Sequence, residues 1–386
     1  MANVAPSGAN VVVIGGGVIG LSTAYQLAAA GVRDVVVLEQ DTLGSGSTSK
    51  AAGGLRAQFS DEVNIALARR SLEVFDTFEQ RFDQPIDLHK VGYLFLLDDA
   101  QDVADFEAAV ALQNSLDVPS EMIEPAQAKA LSPLIRTDGL LAASWHAGDG
   151  HCAPEAVVQG YARAARRAGA RIITGCAVIG AEIKDGQIRA VLTRAGRIAT
   201  EQVVCAAGAW SGGVAELFGV HLPVEPLRRQ IVCTGPVPGR GDRATPMTID
   251  FSTSFYFHDE GPGLLVGMSD PEETVGIKLG RDDGWLTGLA AAVERRAPRL
   301  AEAELRSGWA GLYEMTPDHN ALIGIAADLP GFVYATGFSG HGFLMGPSVG
   351  EVASALVRGQ SPVIDVTSLD VARFARGDHQ PEKHIV

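Results

Sequence analysis

Residues 10–40 read NVVVIGGGVIGLSTAYQLAAAGVRDVVVLEQ, and the fold is decided by how this stretch is read. Val11–Ile14 is an unbroken apolar run, suited to a strand in a parallel sheet that is covered on both faces. Residues 18–30 have the composition of a helix, with Gly31 placed to cap its C-terminal end. A second apolar strand, Val35–Leu38, ends in Glu39. Between strand and helix, Gly15-Gly16-Gly17-Val18-Ile19-Gly20 fits G-x-G-x-x-G in the context that gives this pattern meaning. Gly15 allows the tight turn, Gly17 lets backbone reach a pyrophosphate, and Gly20 permits close helix–strand packing. The free amides and dipole of the helix start favour phosphate, and Val18 and Ile19 lie at that start. Glu39, followed by Gln40, is placed to accept hydrogen bonds from a ribose hydroxyl. A carboxylate there repels a 2′-phosphate, which disfavours NADP.

The next segment separates NAD from FAD. Residues 44–54 (GSGSTSKAAGG) carry only one side chain larger than threonine, Lys50, and run directly into Leu55 and Arg56. Small residues at Gly53 and Gly54 let backbone approach a large flat surface, and Ser47, Thr48 and Ser49 can donate hydrogen bonds. A second glycine cluster, Gly337-Phe-Ser-Gly340-His341-Gly342-Phe343, lies far downstream, and Gly208 ends the apolar run VVCAA. Separated glycine clusters around one extended ligand suit FAD.

Composition limits the alternatives. The chain has 386 residues, 46% of them hydrophobic, enough for two to three domains or one large α/β unit. A net charge of −15 argues against nucleic acid or an anionic membrane as main partner. Cys152, Cys176, Cys205 and Cys233 are widely spaced and read as free thiols in a reducing compartment. MANVAPSGAN lacks a basic n-region, and no apolar stretch reaches membrane-spanning length, so a cytoplasmic protein without a signal peptide is expected.

Helices are expected at residues 63–82, 101–115, 156–168 and 349–357, and strands at 92–97, 171–174, 186–193 and 203–207. Residues after Pro362 read as a surface extension. The order implies an α/β fold: a doubly wound Rossmann-type FAD domain from residues 1–90, 150–220 and 309–386, interleaved with a substrate domain from 91–149 and 221–308. The latter is expected to be α+β, with a mixed or antiparallel sheet.

Four pieces, VVVIGGGVIGLSTAYQLA, GSGSTSKAAGGLRAQF, VVCAAGAWS and GFSGHGFLMGPSVGE, with the weaker GLYEMTPD, resemble the D-amino-acid oxidase superfamily of FAD-dependent amine and amino-acid oxidoreductases. The likeness is to its sarcosine oxidase branch, particularly β-subunit-like proteins. It implies hydride transfer to the flavin from the carbon next to an amine nitrogen, giving an imine that hydrolyses. The implied substrate is a small secondary or tertiary amino acid, of N-methyl or cyclic imino type, with oxygen or another electron acceptor, and homo- or hetero-oligomers are compatible with it.

The resemblance also implies site residues. Arg56 stands where a substrate carboxylate is bound, a task its planar fork suits, while Tyr256 lines the substrate cavity and His341 lies near the flavin. Val178, Ala207, Gly208, Trp210, Gly311, Tyr313, Gly337, Gly340, Gly342, Phe343 and Leu344 join the residues above as cofactor-binding positions. Departures accompany the match. Gly311 and Lys50 occupy the positions of a covalently attaching cysteine and histidine, so noncovalent FAD is expected. Leu344 replaces a lysine that helps hold the carboxylate, and Leu265 stands where oxidases place a lysine over the flavin, which opens a dehydrogenase reading. A D-amino-acid or glycine oxidase-like enzyme and a non-catalytic flavoprotein subunit or assembly factor are the rival readings.

His151 and Cys152 read as a structural loop rather than a metal site, and no metal is expected. Asp318 reads as fixing the MTPD turn, and Arg163, Arg166, Arg167 and Arg171 as a solvated helix face.

Overall fold

Val11–Ile14 lies inside a six-stranded sheet and explains its own sequence. In the computed structural model, which describes residues 6–241 and 244–385, the strands run in the order Leu322–Ile325, Phe332–Thr336, Val203–Cys205, Val11–Ile14, Val35–Leu38, Arg171–Ile173. All pairs are parallel except Leu322–Ile325 with Phe332–Thr336. Residues 1–5, half of the N-terminal stretch read above, lie outside the described residues.

Val11 and Val13 pack towards the helices Val18–Ala29, Pro154–Arg167 and Gly342–Val357. Val12 and Ile14 pack the other way, onto a three-stranded antiparallel sheet formed by Val178–Lys184, Gln187–Thr193 and Gly196–Ala199. With both faces covered, every residue of the strand is buried, which is why the pattern is VVVI and not an alternation. Each such valine contributes roughly 1.5–3 kcal/mol by leaving water.

The helix Gly342–Val357 begins seven residues earlier than residues 349–357 suggested. Gly346 and Gly350, poor helix formers, are there for contact. A Cβ on Gly346 would meet Val18 Cγ2 at 2.5 Å, and one on Gly350 would meet Ser22 Oγ at 2.0 Å. Close approach to the first helix overrides propensity. The expected helix over residues 63–82 is two, Glu62–Asp76 and Phe78–Phe82, divided at Thr77, whose hydroxyl bonds back to the Glu73 carbonyl at 3.0 Å.

The second sheet has eight strands, in the order Leu305–Met315, Glu225–Thr234, Gly263–Met268, Phe255–Glu260, Met247–Asp250, Tyr93–Leu97, Ala142–His146, Glu121–Ile123. It is antiparallel except where Met247–Asp250 meets Tyr93–Leu97. Its alternation divides two environments. Leu94, Val232, Phe257 and Val266 pack with Trp285, Leu289 and Val293 in one core, whereas Tyr93, Ile231 and Tyr256 face a cavity shared with the six-stranded sheet. Leu305–Met315 crosses position 309 while remaining in this sheet.

Residues after Pro362 are not a surface extension. Arg373, Glu382 and His384 are almost wholly buried. Arg373 pairs with Asp318, and Asn320 donates to the Gln380 carbonyl at 2.9 Å. Polar partners along this path draw the segment inward, where apolar periodicity gave no sign of it.

Candidate cofactor and substrate cavity

One cavity of about 640 Å³ runs from the first helix to the eight-stranded sheet. Its cofactor end is built by the first β-α turn. Gly15 has φ +115°, and a Cβ there would lie 2.1 Å from the Ala206 carbonyl oxygen. Such a conformation and approach need glycine. A Cβ on Gly20 would lie 2.0 Å from the Gly15 oxygen, so this residue closes helix onto strand, as expected, rather than facing a ligand. Gly17 differs, since a Cβ would come only within 3.1 Å of Thr48 Oγ1. It begins the helix without a side-chain cap of its own, so its open side and the helix start face the cavity, with the Val18 amide taken by Thr48 Oγ1. That is what a pyrophosphate requires.

Glu39 shapes the rim: Oε2 accepts from the Gly16 amide and Oε1 from the Asp41 amide, both at 2.8 Å. The small-residue loop folds against the helix, where Thr48 Oγ1 accepts from the Val18 amide at 3.2 Å, leaving the threonine proton free to donate. Ser47 spends its proton on the Leu312 carbonyl at 2.6 Å, so it ties the loop to the second sheet rather than donating to a ligand. Lys50 packs against Gly311, where a Cβ would meet Lys50 Cβ at 2.6 Å. The two positions that depart from a covalent attachment pattern are therefore neighbours. The helix start, glycine contours and joined loops fit FAD.

The other end is aromatic and cationic. Arg56, Tyr93, Arg229, Tyr256, Tyr313 and His341 all line it. Arg56 is almost wholly buried and lies 3.9 Å from the Phe59 ring centroid. Its Nη1 donates to the Gln58 carbonyl and its Nη2 to the His384 carbonyl at 2.6 Å. Burial draws its pKa below the usual value, with Glu382 and Asp149 opposing. Asp149 braces the same loop by accepting from the Ala57 amide at 3.0 Å and from Gln58 Nε2 at 3.2 Å.

Arg229 is a second cation that sequence reading passed over. Its guanidinium carbon lies 5.1 Å from the Tyr313 ring centroid, and its buried Nε has no hydrogen-bond partner among the described residues. In sequence it is one arginine of the LRRQ strand. Only the alternation of that strand against Tyr256 signals that it faces inward.

His341 is held neutral, its pKa pushed down to about 3 by burial and then by Arg56. Both ring nitrogens lack partners among the described residues. Burial raises the Tyr256 phenol well above its usual value, so it remains a neutral donor.

Among the expected cofactor positions, Gly15, Gly17, Val18, Ile19, Glu39, Gln40, Ser47, Thr48, Lys50, Gly53, Gly54, Val178, Ala207, Gly208, Trp210, Gly311, Tyr313, Gly340, His341, Gly342, Phe343 and Leu344 reach the cavity wall. Ser49, Leu55 and Gly337 are set back from it with Gly20. Leu55 is buried in the helix-side core, and the Gly337 amide donates to Glu314 Oε2 at 3.0 Å. Leu265 is also off the wall. Gly267, two residues on, is the position pressed against Tyr256, where a Cβ would come within 2.3 Å of the ring.

Asp318 fixes its turn through the Asn320 amide at 3.1 Å. His151 pairs in a short strand with Gly54, and no group of metal ligands exists among the described residues. Arg163, Arg166 and Arg167 are exposed on the helix Pro154–Arg167, whereas Arg171, also exposed, opens the strand Arg171–Ile173 and is not on the helix. No helix among the described residues is long and apolar enough to cross a membrane.

Comparison with known proteins agrees with this geometry. The profile of the FAD dependent oxidoreductase family, DAO, matches residues 10–356. Mouse (Mus musculus) mitochondrial sarcosine dehydrogenase is 31% identical over 96% of this chain and 42% of its own. Bovine (Bos taurus) FAD-dependent oxidoreductase domain-containing protein 1 is 31% identical over 99% of this chain and 88% of its own. The crystal structure of L-proline dehydrogenase from P. horikoshii superposes with a TM-score of 0.90 at 33% identity, covering 97% of this chain and 99% of that one. The chain spans less than half the length of sarcosine dehydrogenase.

Proposed function

The chain belongs to the FAD dependent oxidoreductase family, DAO, and from that premise we propose that it oxidises a small secondary amine or amino acid of N-methyl or cyclic imino type. The observation that carries this reading is the cavity's polarity: a glycine-lined helix start at one end, and at the other two arginines, Arg56 buried and Arg229 half-buried, among tyrosines. When bound, FAD would supply the hydride acceptor for the carbon next to the amine nitrogen. The nitrogen gives up its proton, and water adds to the resulting imine, releasing a carbonyl compound and an amine from an N-methyl substrate or opening the ring of a cyclic one.

The chain's own residues would position this chemistry. Arg229, with a free Nε, and the N–H groups of Arg56 not used by main chain would hold the substrate carboxylate. Tyr256 and Tyr93 stay protonated and uncharged, since burial raises both phenols, so they can donate to substrate oxygen. Neutral His341 would accept or donate one hydrogen bond beside the ring without adding charge. Aliphatic walls at Ile231, Met247 and Ile249 exclude water.

Likeness to L-proline dehydrogenase supports the cyclic imino acid and a dehydrogenase; likeness to sarcosine dehydrogenase supports the N-methyl amino acid. Noncovalent attachment is supported by Gly311 and Lys50 filling each other's space. Four unpaired cysteines support a reducing, cytoplasmic setting.

The test is the visible spectrum of the purified protein before and after anaerobic addition of N-methyl amino acids, proline-like acids, D-amino acids and simple amines. Bleaching by one class names the substrate type. The rate of recolouring in air then separates oxidase from dehydrogenase. A yellow protein that nothing bleaches would overturn the reading in favour of a non-catalytic flavoprotein.

A further inference from the structure

Arg56 spends one of its donors on a residue 328 positions away in sequence, the His384 carbonyl. Residues 380–385 are pinned along their length. The Asn320 side chain holds the Gln380 carbonyl, and the Glu382 amide donates to the Asp318 carbonyl at 3.0 Å. The Glu382 carboxylate accepts from the Ser60 amide at 3.1 Å, the Ser60 hydroxyl at 2.8 Å and the His384 amide at 2.9 Å. The His384 ring stacks on Phe106, with centroids 3.8 Å apart and planes at 11°. The next residue, Ile385, lies on the cavity wall.

We propose that this strap is part of the substrate site, with the His384 carbonyl setting the pose of Arg56 and Ile385 forming a wall that selects substrates by size. The strap adds no reacting group. Its carbonyl fixes one edge of the guanidinium and so decides which N–H groups remain turned towards a carboxylate. Its aliphatic side chain occupies volume that a bulkier amine would need. A loosened strap leaves Arg56 free to rotate and opens the cavity to water.

The test uses the full chain loaded with FAD, carrying Ile385→Ala, Ile385→Trp or, at the anchor, Glu382→Gln. Two quantities are read: KM across the amine panel, and quenching of flavin emission by acrylamide. The kinetic arm rests on the amine-oxidation reading, and the quenching arm does not. Ile385→Ala is expected to raise KM for the best small amine by about tenfold and to admit larger ones, because a few methylenes in a pocket carry that much discrimination. Ile385→Trp should exclude the larger amines, and Ile385→Ala and Glu382→Gln should both increase quenching. Parental KM ranking together with parental quenching in both Ile385 variants would overturn the proposal. If no amine bleaches the parent, the functional reading fails, and the quenching comparison alone decides the strap. Unchanged quenching then overturns it, and increased quenching supports it.

Discussion

Arg373 grips Asp318 through one edge of its guanidinium, Nε to Oδ2 at 2.7 Å and Nη2 to Oδ1 at 2.9 Å, and both side chains are almost wholly buried. A third donor contact, Nη2 to the Asn320 carbonyl at 3.0 Å, ties the pair to the MTPD turn. Removing one member strands a buried charge. Asp318→Ala is therefore expected to destabilise the protein by about 3–5 kcal/mol, whereas an apolar replacement of both partners costs much less. Denaturant unfolding of the two variants checks this, and equal losses would show that the pair is not the anchor.

Arg56→Ala should raise KM for carboxylate-bearing amines by roughly 10–100-fold, the loss expected for one charge-assisted contact of about 1.5–3 kcal/mol. FAD occupancy should change far less. Arg229→Ala is expected to produce a loss of the same kind, with coupling between the two because both face one carboxylate. Steady-state kinetics with a substrate lacking the carboxylate provides the control. If that substrate suffers equally, the arginines serve the fold and not the substrate.

Glu39→Ala should weaken FAD binding by about tenfold through loss of an acceptor beside the ribose. Glu39→Gln retains an oxygen for the Gly16 amide and should keep the loop in place. Titration of the apoprotein with FAD, followed by flavin emission, distinguishes them. Equal FAD affinity in parent and Glu39→Ala would remove Glu39 from the site.

The His151 ring is pushed down to about 3, first by burial and then by the neighbouring His258 and His89 rings. In the unfolded chain its pKa is about 6.5. Between these values the unfolded state binds a proton that the folded state refuses, so this residue costs stability as pH falls. His151→Asn removes the cost. The stability advantage of parent over variant should shrink by about 1.4 kcal/mol for each pH unit below 6. A difference that stays flat from pH 7 to 4.5 would mean that the ring is already charged when folded.

The first β-α-β unit was legible because its apolar runs, glycines and terminal carboxylate are consecutive, and local rules apply to consecutive residues. The loop after it was legible for the same reason. The start of Gly342–Val357 was not, since glycine and proline are weak helix formers and only contact with a helix more than 300 residues earlier stabilises them. Arg229 faces the cavity through strand alternation in a segment that gave no other sign of a site. Arg373, Glu382 and His384 are polar residues buried by partners that lie far away in sequence, and periodicity carries no information about such pairs. Leu265 lies on a strand whose face was legible but whose reach along the cavity was not, since two residues of strand span about 6.6 Å.

The crossing of the first helix by Gly346 and Gly350 has a consequence for biosynthesis. The helix that presents Gly17 to the cofactor, Val18–Ala29, is made long before the neighbour that fits against Val18 and Ser22, which emerges from the ribosome more than 300 residues later. Contacts so distant in sequence form slowly. The nascent chain must hold its glycine turn unfinished while the intervening sheet is translated. The cofactor side of the first helix is therefore packed only once residues 342–357 have been made, and FAD capture is expected to follow that point rather than precede it.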